Sequence, residues 1–377
     1  MLSWRSASPT SNDSSASREP PSTPCAMKLV LRRVSGMTRC ARNARREWPS
    51  RSGLLLELYA GSTRGVGEAS PLPGYSPDTL EEAEAALGAL NLPAVERALG
   101  IEDIEEALKA VSDLLPKGQP AARMALETAA LDLRGHQRHL SVPALLGADP
   151  SAERALAWLV GAPDAQALEV IRGAERAGYS HFKIKLGRAG DLSTEVAGVS
   201  ELRQALGAGP RLRLDVNRAW SEAEASSACR MLEALDIEFL EEPSADLTRP
   251  LDTTIPVALD ESLQGLNPND LEALARHSGA CFVVLKPMVL GGLSRCLELG
   301  RRATALNLGV VVSHSFDGPL ALIAAAALAL ALPTRTAQGL APHPGLAAWP
   351  QIPLPVARGA LHAWTSPGLG VASERLD

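Results

Sequence analysis

The chain has 377 residues, a formal net charge of −6, 46% hydrophobic and 21% charged residues. That length holds one large domain or two ordinary ones around a substantial core. The mild, evenly spread acidity gives no footing to a nucleic-acid or anionic-membrane partner. Five cysteines (Cys25, Cys40, Cys229, Cys281 and Cys296) are an odd number without CxxC spacing, as expected of reduced thiols in a cytoplasmic protein rather than of a disulfide framework or zinc site.

Residues 1–26, rich in Ser and Pro and lacking an apolar stretch, read as a disordered N-terminal extension rather than a secretory signal, with Met27 as a natural start. Next, MKLVLRRV and GLLLELYAG read as two strands joined by a basic loop, Ser35 to Ser52. Its core, Arg39–Arg51, either closes over a substrate or is a solvated surface loop. SPLPGYSP is an extended loop, since its prolines and glycine exclude helix. Asp78 with Glu81 is the expected capping box of the following helix, and helices run on to about Gly135.

From Leu156 the pattern alternates between short β-rich runs and helix-length segments. Strands are expected at 155–161, 181–187, 211–217, 237–242, 256–261, 281–286, 308–314 and 334–340, with a short connection after Glu242. Seven or eight such repeats predict a closed parallel barrel, an α/β fold; an open doubly wound sheet is second, weakened by the lack of any GxGxxG. The apolar run at 319–332 is too short to span a bilayer and reads as a buried helix.

In such a barrel the active site lies at the C-terminal strand ends. Those ends carry Lys183 and Lys185, then Asp215, Glu241 with Glu242, Asp260 with Glu261, and Lys286. Each alone reads as a turn former, a cap or a solvated terminus. Together, charges on five consecutive strands point to chemistry. Side chains two apart on a strand share a face, so the lysines of HFKIKLG both face inward if either does. By the same alternation Arg213, Asp215 and Asn217 share a face, Glu241 is preferred to Glu242, and small Ala258 precedes Asp260. Three converging carboxylates repel one another unless a cation joins them, and an all-oxygen set favours Mg²⁺, with Mn²⁺ second. One of the facing lysines then removes a proton from carbon beside a substrate carboxylate.

These residues, KIK, DVN, EEP, DES and LKP, resemble the enolase superfamily in its muconate-lactonizing subgroup, over nearly the whole chain from Met27. The wording of GEASPLPGYSPDTLEEA, RLRLDVNRAW, FLEEP, LDESL and LKPMVLGGL is most similar to the o-succinylbenzoate synthase family. The resemblance implies a modified TIM barrel, (β/α)₇β, at 150–344, beneath an N-terminal α+β capping domain at 27–140 completed by residues 345–377. It implies Lys185 as base, Lys286 as the stabilising cation, Lys183 in support, and Asp215, Glu241 and Asp260 as Mg²⁺ ligands. Asn217, Arg213, Ser313 and Ser315 are the expected substrate contacts for a small-molecule carboxylate. The implied reaction is dehydration of 2-succinyl-6-hydroxy-2,4-cyclohexadiene-1-carboxylate to 2-succinylbenzoate in menaquinone biosynthesis.

Two features depart from that pattern or bear on rivals. His314 stands where the family often has a Ser-rich stretch, as a structural residue or a substrate contact. The alternative activity is an N-succinylamino acid racemase or dipeptide epimerase, for which two facing lysines also suffice. QGLAPHPGL lacks the Asp-x-Asp usual in dipeptide epimerases, and Lys286 stands where a mandelate-racemase-type dehydratase needs Asp. A scaffold barrel without activity is disfavoured because no ligand position is lost.

Overall fold

The computed structural model describes residues 27–372, apart from 39, 40, 44, 45, 189, 190, 248, 344, 347, 348, 350 and 351. The readings of residues 1–26, Cys25 and Cys40 therefore lie outside the described residues; Cys229, Cys281 and Cys296 are free thiols.

The first layer is an antiparallel sheet of β1 (Lys28–Met37), β2 (Ser50–Ala60) and β3 (Thr63–Ala69). β1 and β2 pair from Lys28↔Tyr59 to Met37↔Ser50, so both strands run further than the hydrophobic patterning suggests and the basic loop is correspondingly shorter. The third strand, TRGVGEA, escapes a reading based on apolar runs because its glycines make it look like loop. They are there for close packing: a Cβ at Gly67 would lie 2.0 Å from the Ala125 carbonyl oxygen of the helix above. Four helices follow, α1 (Leu80–Gly88), α2 (Leu92–Leu99), α3 (Ile104–Ser112) and α4 (Pro120–Arg138), then a short α5 (Val142–Leu145). The capping box of α1 is Thr79 with Glu82, one residue later than expected. Asp78 is occupied elsewhere, accepting from the Ala121 amide in the first turn of α4 at 2.9 Å.

After β4 (Glu153–Ala155) comes a parallel sheet of seven strands in chain order: β5 (Ala157–Gly161), β6 (His181–Lys185), β7 (Arg211–Asp215), β8 (Ile237–Glu241), β9 (Val257–Leu259), β10 (Ala280–Leu285) and β11 (Gly309–Val312). Helices α6 (Ala167–Arg176), α7 (Leu192–Leu206), α8 (Glu222–Leu232), α9 (Leu271–Ser278), α10 (Pro287–Leu290), α11 (Leu293–Ala305) and α12 (Pro319–Ala331) fill the connections. None is described between β8 and β9. The expected eighth strand at 334–340 is reduced to two parallel bridges, Gln338 to Leu156 and Gly339 to Ser313, which join β11 back to the start of the sheet. Its ladder is irregular because the buried Gln338 side chain takes over a backbone role, accepting from the Val312 amide at 2.7 Å. The architecture is thus a modified TIM barrel with a separate N-terminal α+β layer.

The main core lies between strands and helices; a second, smaller cluster of Phe239, Ala258, Val284 and Val311 fills the barrel interior. Helix α12 is buried along all but its last residue, as its unbroken apolar run demands. Among the described residues no helix is long and apolar enough to cross a membrane. The chain ends with β12 (Val356–Ala357) and β13 (Ala360–His362) against β4, and the Leu369 amide donates to Asp132 of α4 at 2.7 Å.

Candidate active site

On β6 the alternation is clean: Phe182 and Ile184 are fully buried toward the helices, and Lys183 and Lys185 line a pocket inside the barrel mouth. Register sets what they meet. Lys185, Asp215, Glu241 and Ala258 form one level across β6, β7, β8 and β9. Lys183 Nζ lies 2.7 and 2.8 Å from the two Glu241 carboxylate oxygens and 2.8 Å from Asp215 Oδ2. Lys185 Nζ lies 2.5 Å from the same Asp215 oxygen and donates to Asn217 Oδ1 at 3.0 Å. Across the barrel, Lys286 pairs with Asp260 and donates to the Tyr75 hydroxyl at 2.7 Å.

Like charges 4 Å apart cost about 4 kcal/mol at an effective dielectric constant of 20, so buried carboxylates gathered here need countercharge. The ammonium groups prevent that. Burial raises the Asp215 carboxyl, but Lys183 and Lys185 outweigh it and hold it well below the ordinary carboxylate range. Burial lowers Lys183 and Lys286, but their carboxylate partners reverse this and hold both above an ordinary lysine. Lys185 differs. Burial lowers it and the nearby Lys183 ammonium adds to that, against the pull of Asp215, and the net direction is down.

Asp215, Glu241 and Asp260 offer only carboxylate oxygens, the donor chemistry of a hard divalent cation. Beside them, Glu261 Oε2 is buried without a hydrogen-bond partner, while Oε1 accepts from Asn217 at 3.1 Å. Among the described residues no three His, Cys, Asp or Glu side chains converge as a ready-made cation cage. The oxygens rest instead on the lysine ammoniums, and it is their donor chemistry that fits such an ion. Glu242, the disfavoured neighbour, is structural: its carboxylate accepts from the amides of Asp260 and Ser262 and from Arg218.

Strand seven ends in neutral polar side chains. Ser313 donates to the Gly339 carbonyl at 3.3 Å, and the buried Ser315 hydroxyl has no partner. His314 lines the pocket; its Nδ1 accepts from the Phe316 amide at 3.0 Å, which places the ring proton on Nε2. Burial pushes its pKa down to about 3, so it is neutral throughout the physiological range.

Arg213 lines the same pocket. Its guanidinium is buried, with Nε and Nη2 on Glu238 at 2.7 and 3.1 Å and Nη1 on the Ala337 carbonyl at 2.8 Å. Each guanidinium nitrogen already has a protein acceptor, and the group stacks on Phe239 at 4.7 Å. Lys183, Lys185, Asn217, Glu241, Lys286, Ser313 and Ser315 all line the pocket, while Asp215 and Asp260 sit beneath the lysines. The sequence reading missed the roof: Trp48, Leu72 and Tyr75 from the N-terminal layer, and His343 beyond the eighth strand. Tyr75 sits in the Pro-rich loop already marked as irregular; nothing local distinguishes it as a partner of Lys286.

A family model described as "Enolase C-terminal domain-like" matches residues 166–375, more than half of the chain. The chain belongs to the enolase superfamily. A second model, "MenC, N-terminal domain", matches residues 40–99, within the layer that roofs the site. Muconate cycloisomerase 1-1 of Acinetobacter lwoffii is 32% identical over 291 residues, covering 73% of this chain and 74% of that protein. An o-succinylbenzoate synthase of Citrobacter koseri is 32% identical over 304 residues, covering 78% of this chain and 84% of that protein. Among solved structures, the muconate lactonizing enzyme from Pseudomonas fluorescens complexed with muconolactone superposes with a TM-score of 0.81 at 26% identity, covering 94% of this chain and 99% of that one. The L-Ala-D/L-Glu epimerase of Bacillus subtilis shares the fold, with a TM-score of 0.79 at 23% identity. The superfamily to which the chain belongs thus includes relatives of several activities.

Proposed function

We propose that this chain is a Mg²⁺-dependent o-succinylbenzoate synthase, a carbon–oxygen lyase acting in the cytoplasm on 2-succinyl-6-hydroxy-2,4-cyclohexadiene-1-carboxylate in menaquinone biosynthesis. The observation that carries this reading is the placement of Lys185 and Lys286 on opposite sides of three carboxylates, under a roof drawn from the MenC-like segment. Residues 27–140, completed by 345–377, serve as the capping domain over the barrel at 150–344.

Asp215, Glu241 and Asp260 would hold the Mg²⁺, which supplies positive charge where negative charge builds on the substrate carboxylate. Lys185, in its unprotonated form, takes the α-proton, with Lys183 in support beside it. The electron pair of the broken C–H bond passes into the carboxylate and returns to form the ring double bond as hydroxide leaves. Lys185, now an ammonium on the same face, returns its proton to that hydroxide, so water departs. Lys286 remains an ammonium opposite, countering the developing charge, while Asn217, Ser313 and Ser315 orient the substrate.

The same two lysines also support racemisation of N-succinylamino acids, in which one removes and the other returns a proton. The test is an ultraviolet assay on the cyclohexadiene substrate with and without EDTA. Turnover that needs Mg²⁺ supports the synthase. A folded protein that leaves this substrate untouched yet exchanges the α-deuterium of N-succinylamino acids supports the racemase.

A further inference from the structure

Two loops from different parts of the chain wall the pocket, and one buried guanidinium joins them. Arg51, near the start of β2, is 1% exposed. Its Nη2 and Nη1 donate to the carbonyls of Ser70 and Pro71 at 2.5 and 3.0 Å, and its Nε donates to the Phe316 carbonyl at 3.0 Å. The first two carbonyls lead directly into the loop bearing Leu72 and Tyr75. The third belongs to the turn after strand seven, bearing Ser313, His314 and Ser315.

That turn is strained. Phe316 has φ +55°, a left-handed conformation that a bulky aromatic residue adopts only where its surroundings impose it. Its amide is held by His314 Nδ1 and its carbonyl by Arg51, while its ring packs on Trp48 with centroids 6.3 Å apart. Beneath the turn, the fully buried Glu68 of β3 accepts from the Gly318 amide at 2.7 Å and from the Leu320 amide at 3.0 Å, fixing the start of α12. Its approach is so close that a Cβ on Gly318 would lie 2.2 Å from the Glu68 carboxylate.

We propose that Arg51 is a positioning residue that locks the strained Phe316 turn to the Ser70–Pro71 segment and so sets the width of the substrate pocket. It touches no reacting atom. A lysine cannot replace it, because three carbonyls in different directions need the planar fork.

The substrate-pocket part of this inference rests on the proposed function, so the test has one arm that does not. The chain contains four phenylalanines, Phe182, Phe239, Phe282 and Phe316. Protein labelled with 4-fluorophenylalanine therefore gives four ¹⁹F lines, with that of Phe316 assigned by its loss in F316L. Arg51→Lys should move or split the Phe316 line and leave those of Phe182, Phe239 and Phe282 in place. Arg51→Gln, which cannot reach all three carbonyls, should do the same and decides the matter if Arg51→Lys fails to fold. In kinetics on the cyclohexadiene substrate, both variants should raise KM about tenfold with kcat within about threefold of wild type. An unmoved Phe316 line in a folded variant, or an unchanged KM beside normal wild-type turnover, overturns the proposal. If the wild type itself does not turn this substrate over, the synthase reading fails and the ¹⁹F arm still decides the clamp.

Discussion

Lys185 and Asp215 are direct cross-strand partners, in register between β6 and β7, with Nζ 2.5 Å from Oδ2. The same Asp215 oxygen lies 2.8 Å from Lys183, so the carboxylate keeps a partner when Lys185 is removed. Lys185→Met should therefore fold and melt close to wild type while losing about a thousandfold in kcat, within the range for deleting a general base. Circular dichroism beside the ultraviolet assay checks this. More than a tenth of wild-type activity in the variant would rule out Lys185 as the base.

Asp215, Glu241 and Asp260 rest on ammonium groups in the structure, so a divalent cation must displace them to bind. Any ion that binds only the folded state raises the melting temperature with concentration, by about 2.7 kcal/mol of stability at a hundred times Kd. Mg²⁺ should raise the melting temperature of wild type, EDTA should reverse it, and Asp260→Asn should flatten the response. A wild type whose melting curve ignores millimolar Mg²⁺ would remove the carboxylates from the role of ligands.

The charged rim was legible because each of its members is local: a polar residue at the C-terminal end of an apolar run needs no tertiary contact to be noticed. Glu241 could be preferred to Glu242 from strand alternation alone. What stayed hidden depends on partners far away in the chain. Asp78 forfeits the capping box to Thr79 because Ala121, at the start of α4, claims its carboxylate. Gln338 disguises the eighth strand by bonding through its side chain, and Arg213, which lines the pocket, also pairs with Glu238 of the next strand. Arg51 looked like one more cation in a basic loop, yet among the described residues of that loop it is the most deeply buried cation. Composition shows that such residues exist; only packing shows which are enclosed.

Tyr75 tests that lesson, since its importance rests on its contacts with the Lys286–Asp260 pair. Its hydroxyl accepts from Lys286 at 2.7 Å, and its ring lies 5.1 Å from the same ammonium. Tyr75→Phe keeps the ring and the Lys286–Asp260 pair but removes the hydroxyl, which accepts from Lys286 and donates to Asp260 at 3.4 Å; a hydrogen bond to a charged group contributes about 1.5–3 kcal/mol. The expected result is a loss of about tenfold in kcat/KM with a lowered melting temperature. If kcat/KM stays within twofold of wild type, the hydroxyl only fills the pocket roof.

Glu127 of α4 gives a stability signature away from the site. It is fully buried, accepts from the Ser294 amide at 2.9 Å and from its hydroxyl at 2.5 Å, and so caps the start of α11. Burial outweighs those bonds and pushes its pKa from 4.5 up to about 7. Between those two values the folded protein holds a proton that the unfolded chain has lost. Stability from this group is therefore greatest below pH 4.5 and falls as pH rises through the window, by about 3 kcal/mol in all at 1.36 kcal/mol per unit. Gln at 127 keeps the Ser294 contacts, with the serine hydroxyl turning to accept, and cannot ionise. Other buried carboxyls titrate in the same range, so the informative quantity is a difference. Urea unfolding from pH 5 to 8 should show Glu127→Gln gaining on wild type as pH rises, and parallel curves would mean that Glu127 is ionised throughout.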